Sequence, residues 1–124
     1  MENDTYEVAQ SVVDAFLSTV HEILYPGAIN DGTFVVDRRK VKNDEFMIEH
    51  NLSTADAYDV VEQLSICDYS HSVRNAQGQE LHVFGAVLLG YDLYVKLRLM
   101  MQESGVLCVS FHPPERVMHF PYKK

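Results

Sequence analysis

Two strand-like runs near the C-terminal end alternate strictly between apolar and polar side chains. They cover residues 93–99 and 107–112. Because successive side chains of a strand point to opposite faces, the apolar positions of both runs are expected to face a core. The other face would carry side chains with acid–base or cationic chemistry: Tyr94, Lys96, Arg98, Ser110 and His112. The pattern therefore predicts a sheet with one buried face and one chemically equipped face.

Other periodic segments predict helices and strands around this sheet. Apolar residues spaced three and four apart between positions 6 and 24 are typical of an amphipathic helix. Ser53, followed by Asp56, resembles a helix start, because both side chains favour exposed amides. The predicted elements are helices at 6–24, at 44–49 and from 53 onward, a short strand at 33–36, and an antiparallel meander of strands at 81–88, 93–100 and 107–111. At 124 residues, the chain is expected to form one compact α+β domain, with its N-terminal helices packed on the meander.

The turn at Gly105 predicts how the last two strands pair. If Gly105 closes a three-residue hairpin loop with positive φ, Lys96 lies opposite His112 and Arg98 lies opposite Ser110. Side chains that face each other in this way have Cβ atoms about 5 Å apart. The polar groups of the two strands are therefore expected to converge.

These converging groups match the needs of RNA cleavage without a metal ion. Such cleavage requires a base for the 2′-hydroxyl, cations for the phosphate and an acid for the leaving 5′-oxygen. His112 is the acid–base candidate, because the pKa of histidine lies near working pH. Lys96 and Arg98 are the phosphate candidates, and Tyr94 would stack on a base or donate its hydroxyl. The alternative interpretation is an ordinary solvated sheet face.

Two further histidines could reach the same face. His71 precedes the stretch from Ser72 to Glu80, which lacks periodicity and is expected to be a loop. His82 shares its parity with Phe84, so a partly buried, hydrogen-bonded ring is the alternative for it. For His71 the alternative is simple exposure.

A basic cluster and the histidine spacing bear on nucleic-acid and metal binding. Arg38, Arg39 and Lys40 form part of the densest positive patch and are candidates for contact with an RNA backbone. Neighbouring acidic residues make a solvated face the alternative. The six histidines show no familiar ligand spacing, so neither a metal site nor a cofactor is expected.

The charge of the chain is unevenly distributed. Its formal net charge is −8, which argues against a simple nucleic-acid binder. However, residues 1–34 hold six acidic side chains and no Lys or Arg, whereas residues 69–124 hold six basic and four acidic ones. One hypothesis is that the acidic N-terminal helix covers the basic sheet face. The alternative is that its apolar stripe completes the core or forms a homodimer.

Several segments together resemble the motility quorum-sensing regulator toxins and their bacterial relatives, which are RelE-like mRNA interferases of type II toxin–antitoxin systems. The resemblance covers about residues 35–124, and residues 1–30 would be an acidic helical extension. Its most specific part is the sequence Tyr94-Val95-Lys96-Leu97, followed by Ser110-Phe111-His112. The remaining segments are residues 35–40, 64–69 and 82–85.

The resemblance implies a curved antiparallel sheet and metal-independent endoribonuclease activity on mRNA, with a cognate antitoxin as partner. Tyr94 matches the family's tyrosine, His112 matches the basic residue that ends the last strand, and His71 lies near a further basic position. Val83 stands where the family uses a glutamine. The runner-up hypothesis is a non-catalytic relative that acts as a protein-interaction or regulatory module, and a histidine-rich metal-binding protein is a distant third.

The chain is also expected to be cytoplasmic and independent of a membrane. No apolar run approaches the roughly 18 residues of a membrane span. The segment Met1–Asp4 is acidic where a secretory signal would be basic. Cys67 and Cys108 lack metal or redox spacing, so buried reduced thiols are expected.

Overall fold

The computed structural model describes residues 5–25 and 32–124. In these ranges the helices are α1 (Gln10–Leu24), α2 (Val41–Glu49) and α3 (Thr54–Glu62). The strands are β1 (Thr5–Tyr6), β2 (Phe34–Val36), β3 (Tyr69–Arg74), β4 (Glu80–Leu88), β5 (Tyr91–Leu99) and β6 (Val106–His112). Short 3₁₀ turns lie at Ile66–Asp68 and Met101–Glu103. The predicted single α+β domain is confirmed.

All six strands of the described residues belong to one sheet, in the order β1-β3-β4-β5-β6-β2. The four central strands, β3 to β6, are antiparallel neighbours, as the predicted meander requires. The short strand β2 joins β6 in parallel, so the sheet is mixed rather than purely antiparallel. On the opposite edge, β1 pairs with β3.

The helices pack on one face of this sheet. Buried residues from all three helices form one apolar cluster with inward-facing strand residues such as Phe84 and Leu97. The ring of Phe16, on α1, stacks on that of Phe84, with centroids 6.2 Å apart. The hypothesis that α1 covers the polar face is therefore wrong, because its apolar stripe completes the core on the opposite side. Cys108 lies in this core, whereas Cys67 is only partly buried.

Two helices begin at other residues than the sequence predicts, and one of them is α2, which begins at Val41 instead of residue 44. The first helix begins at Gln10 instead of residue 6, because Thr5 and Tyr6 pair with β3 as a strand. From the sequence, Asp4 would cap this helix and Pro26–Gly27 would end it, but both lie outside the described residues. At α3 the predicted cap is confirmed: the backbone N–H of Ser53 donates to the Asp56 carboxylate at 2.8 Å. None of the described helices has the length and apolar character of a membrane span.

The expected loop at 72–80 is wrong in its first part, because β3 extends to Arg74. Periodicity misses this strand since the polar Ser72 faces the core and the bulge between Tyr69 and His71 interrupts the alternation. Ser72 is fully buried and its hydroxyl lies 2.7 Å from the Tyr69 hydroxyl and 2.6 Å from His82 Nδ1. The chain reverses only over residues 75–79, where the Asn75 N–H donates to the Gln79 carbonyl.

The predicted register of β5 and β6 is also wrong. His112 pairs with Tyr94 and Ser110 pairs with Lys96, while Arg98 pairs with Leu107. The reason is the connection, in which positive φ occurs at Gln102 and Glu103 and not at Gly105. Gly105 is needed for a close approach instead, since a Cβ there would lie 2.8 Å from the Thr33 carbonyl oxygen.

Candidate functional site

Two β-bulges shape the sheet face that lies opposite the helices. One falls between Tyr69 and His71 on β3, and the other falls between Cys108 and Ser110 on β6. A bulge inserts one residue into a strand, so the side chains after it point to the face opposite to that which plain alternation dictates. The second bulge turns Ser110 and His112 away from the core, although Cys108 faces it.

The bulges bring polar side chains from three strands into adjacent rows. His71 pairs with Val83 of β4, and Val83 pairs in turn with Lys96. Lys96 pairs with Ser110. His71, Lys96 and Ser110 therefore lie in one row across the sheet. Tyr94 and His112 form the next row. In that row β4 contributes Gly85, which has no side chain to separate the groups on either side.

The aromatic rings of these two rows are in contact. Tyr94 and His112 are stacked, with centroids 5.7 Å apart and ring planes inclined by 16°. His71 approaches Tyr94 from the β3 side at 6.1 Å. The Lys96 ammonium lies 6.0 Å from the Tyr94 ring centroid, within the range of a cation–π interaction. One phenol is thus flanked by two imidazoles and one cation.

These groups line a pocket of about 810 Å³. Its floor is the sheet, and its walls are the N-terminal segment with Thr5 and Glu7, the start of α2, and the chain after β6. The cationic and imidazole side chains of the lining are Lys40, Lys42, His71, Lys96, His112, Arg116 and His119. Its acidic side chains are Glu7 and Glu115, and Glu115 is paired with Lys42 at 2.5 Å. The excess of cationic over acidic groups suits an anionic ligand.

His112 is held in one orientation and in one tautomer. Its Nδ1 lies 2.8 Å from the Pro113 carbonyl oxygen. Because a carbonyl only accepts, Nδ1 carries the proton and Nε2 of the neutral ring keeps its lone pair. Burial lowers the pKa of His112 below its usual value, and the charges of Lys42 and Lys96 lower it further. The Pro113 carbonyl and Glu115 act in the opposite direction. The ring is therefore suited to accept a proton near neutral pH.

Lys96 and Ser110 form the deepest polar part of the pocket. Lys96 is only 4% exposed and Ser110 only 3%. A lysine so far from solvent is unusual, and its charge acts through a medium of low dielectric. On the other wall, the hydroxyl of Ser70 lies 2.9 Å from His71 Nδ1, which fixes the orientation of that ring.

Four of the candidate residues lie away from the pocket, namely His82, Arg98, Arg38 and Arg39. His82 faces the core and is 4% exposed, with its ring 4.4 Å from that of Phe16, so the expectation that it reaches the polar face is wrong. Arg98 lies beyond Lys96 along β5, outside the lining, and donates to the Leu99 carbonyl. This placement follows from the shifted register.

The three basic residues before α2 differ in whether they line the pocket. Arg38 and Arg39 form ion pairs with Asp44 and Asp37, at 2.8 Å and 2.9 Å, and neither lines the pocket. Lys40 does line it. Of the predicted RNA-contacting residues, Lys40 alone is therefore adjacent to the acid–base groups.

Sequence reasoning did not single out Ser70 or Asn43, and it noted Lys42 only as part of the basic patch that includes Arg38 and Lys40. Lys42 reaches the pocket from α2 and Ser70 does so because of the β3 bulge. Asn43 is fully buried and bonds to the backbone of β6. Neither bulges nor contacts between distant segments leave a periodic signal. Within residues 5–25 and 32–124, no group of three or more His, Cys, Asp or Glu side chains could hold a metal ion.

Comparisons with protein-family models, with curated proteins and with solved structures found no match to this chain.

Proposed function

We propose that this protein is a metal-independent endoribonuclease, similar to the RelE-like mRNA interferases, and that the pocket around His112 is its active site. The observation that supports the proposal most is the stack of His112 on Tyr94, beside Lys96 and opposite His71. These residues supply each kind of group that the reaction requires. The family itself rests on the resemblance of residues 35–124.

Three pocket residues, His112, Lys96 and His71, have roles in the proposed reaction. The Nε2 lone pair of His112 accepts the proton of the 2′-hydroxyl, whose oxygen then attacks the adjacent phosphorus. Lys96 stabilises the charge that develops on the phosphorane oxygens. As the bond from phosphorus to the 5′-oxygen breaks, His71 donates a proton to that oxygen. The products are a 2′,3′-cyclic phosphate and a free 5′-hydroxyl.

Tyr94 has a separate role in binding. Its ring stacks on His112 and is only partly exposed, so an unstacked base would contact the part of the ring that faces the pocket. Lys40 and Arg116, at the rim of the pocket, are placed to contact neighbouring phosphates. An RNA strand with a splayed base fits this combination better than a duplex does.

Induced expression in a bacterial host tests the proposal. Wild-type protein should arrest growth and degrade mRNA, and His112→Ala should do neither at equal protein level. His50→Ala is a matched control, because that ring packs on Tyr91 at 4.7 Å and lies outside the pocket. A wild-type protein that leaves growth and mRNA intact would contradict the proposal. Co-expression of a cognate antitoxin, which the resemblance implies, should relieve the arrest.

The second candidate function is a non-catalytic interaction module. Two observations favour it: Lys96 is nearly inaccessible at 4% exposure, and the chain carries a formal net charge of −8. Under this alternative, the sheet face binds a partner protein without reaction, and no RNA phosphate needs to reach Lys96. Intact RNA after incubation with the wild-type protein would favour it.

A further inference from the structure

Asn43, on α2, makes hydrogen bonds to the backbone of β6 at its bulge and just after it. Its side-chain amide donates to the Val109 carbonyl at 2.9 Å and to the Asp37 carbonyl at 2.9 Å. Its side-chain oxygen accepts the Phe111 N–H at 2.8 Å. The residue is 0% exposed. A polar side chain is rarely buried so completely unless its hydrogen bonds determine a structure.

These bonds replace a missing stretch of partner strand. β2 pairs with Val106 through Cys108, and its last contact is the Asp37 N–H donating to the Cys108 carbonyl at 3.0 Å. Beyond that point Asn43 takes the place of a partner strand, because it bonds the Val109 carbonyl and the Phe111 N–H on the side of β6 away from β5. An asparagine amide combines a donor and an acceptor, as a strand's peptide group does.

The consequence of the bulge can be worked out from strand periodicity. Cys108 faces the core opposite Leu97. Without the bulge, plain alternation would place Val109 and Phe111 on the polar face, and Ser110 and His112 on the core face. The extra residue reverses this order, so that His112 stacks on Tyr94.

We propose that Asn43 is a positioning residue that holds the β6 bulge and thereby places Ser110 and His112 in the pocket. Its relevance to catalysis rests on the proposed endoribonuclease function, whereas its effect on strand geometry does not. Asn43 touches neither reacting group, and it acts through the backbone of residues 109–111.

The test combines Asn43→Ala with deletion of Val109. Asn43→Ala should lose the nuclear Overhauser contacts between the Tyr94 and His112 rings, because the bonds that hold Val109 and Phe111 on the side away from β5 are then lost. Deleting Val109 from that variant removes the need for a bulge, since ordinary alternation then puts Ser110 and His112 on the polar face. The double variant should therefore regain the contacts between the two rings. A structural role unrelated to register would not produce this rescue.

Three results would overturn the proposal. They are unchanged ring contacts in a folded Asn43→Ala protein, no recovery in the double variant, and fast exchange of the Phe111 amide proton in the wild type. The exchange measurement decides the matter if Asn43→Ala fails to fold, because the Asn43 bond should protect that amide.

If RNA is cleaved, kcat should fall in Asn43→Ala and recover in the double variant. Failure of cleavage in the wild type alone contradicts the proposed function but leaves the ring contacts as the test of Asn43.

Discussion

His112 obtains its chemistry from the backbone around it. The β6 bulge turns the side chain to the polar face, and the Pro113 carbonyl fixes which ring nitrogen carries the proton. Burial then favours the neutral ring. Although the sequence singles out His112 as the end of a polar alternation, it predicts the wrong partner, since Tyr94 rather than Lys96 lies opposite.

The lowered pKa of His112 predicts the pH dependence of cleavage. A general base works only when neutral, so activity should be lost as pH falls through the pKa of His112. Because that pKa lies below its ordinary value of 6.5, the acid limb of the kcat/KM profile should be centred below pH 6.5. A pH–rate profile measures this, with His112→Gln expected to lack the acid limb. An acid limb centred above 6.5 would contradict the assignment.

The buried His82 predicts a second pH effect, on stability. Its ring packs on Phe16, and its Nδ1 lies 2.6 Å from Ser72 Oγ, while its Nε2 lies 3.5 Å from Glu80. Burial lowers the pKa of His82 from 6.5, and Glu80 opposes this only in part. The unfolded state therefore binds more protons, so stability is complete above pH 6.5 and falls as pH drops from there toward the folded pKa.

Urea unfolding at neutral and mildly acid pH measures this effect. His82→Gln keeps an acceptor for Ser72 and should show a smaller loss of unfolding free energy on acidification. The comparison isolates His82 from His112, whose lowered pKa acts in the same direction. Equal acid sensitivity in both proteins would show that His82 is not responsible.

At the scale of elements, local signals predicted most helices and strands and the antiparallel order of β4, β5 and β6, but not the register of the last two. Alternation identified β4, β5 and β6, and the Ser53–Asp56 cap identified α3. The register depended on the positive φ values of Gln102 and Glu103, residues that do not favour such values. The sequence did not predict β3, because the polar Ser72 faces the core, where it pairs with His82. Both errors arise where contacts between distant segments outweigh local preference.

The segment after β6 crosses the sheet where Gly85 leaves room. A Cβ at position 85 would lie 2.7 Å from the ring of Phe120. Farther along, Tyr122 stacks on Tyr69 at 5.8 Å, and its hydroxyl donates to the Val8 carbonyl at 2.6 Å. Because Gly85 has no side chain, the segment after β6 can pass over β4 at this point. This segment forms one wall of the pocket.

Gly85→Ala should displace Phe120 and loosen this wall. Overpacking of this kind costs about 1–3 kcal/mol. Urea unfolding should show a loss in that range, and limited proteolysis should cut the chain after His112 faster than in the wild type. Val87→Ala is a control on the same strand, because that side chain is 69% exposed. If Gly85→Ala matches the wild type in both measurements, Phe120 is not held in this way.

The whole molecule is divided by its sheet into a core side and a pocket side. The helices and their apolar residues occupy one side, while the other carries the cluster of His71, Tyr94, Lys96 and His112. The sequence predicted these four residues as one site from parity and from the family resemblance. Arg98 and His82 lie elsewhere because of a register and a face that only the folded sheet determines. The acidic N-terminal segment contributes Glu7 to the pocket wall.

We propose that this pocket cleaves RNA with its own side chains. The most direct test incubates purified protein with single-stranded RNA in the presence of a metal chelator. The wild type should release fragments that end in 2′,3′-cyclic phosphates, and His50→Ala should match it. His112→Ala should be slower by about 10²-fold or more, as expected for loss of a general base. Intact RNA with the wild type, or equal rates for wild type and His112→Ala, would contradict the account.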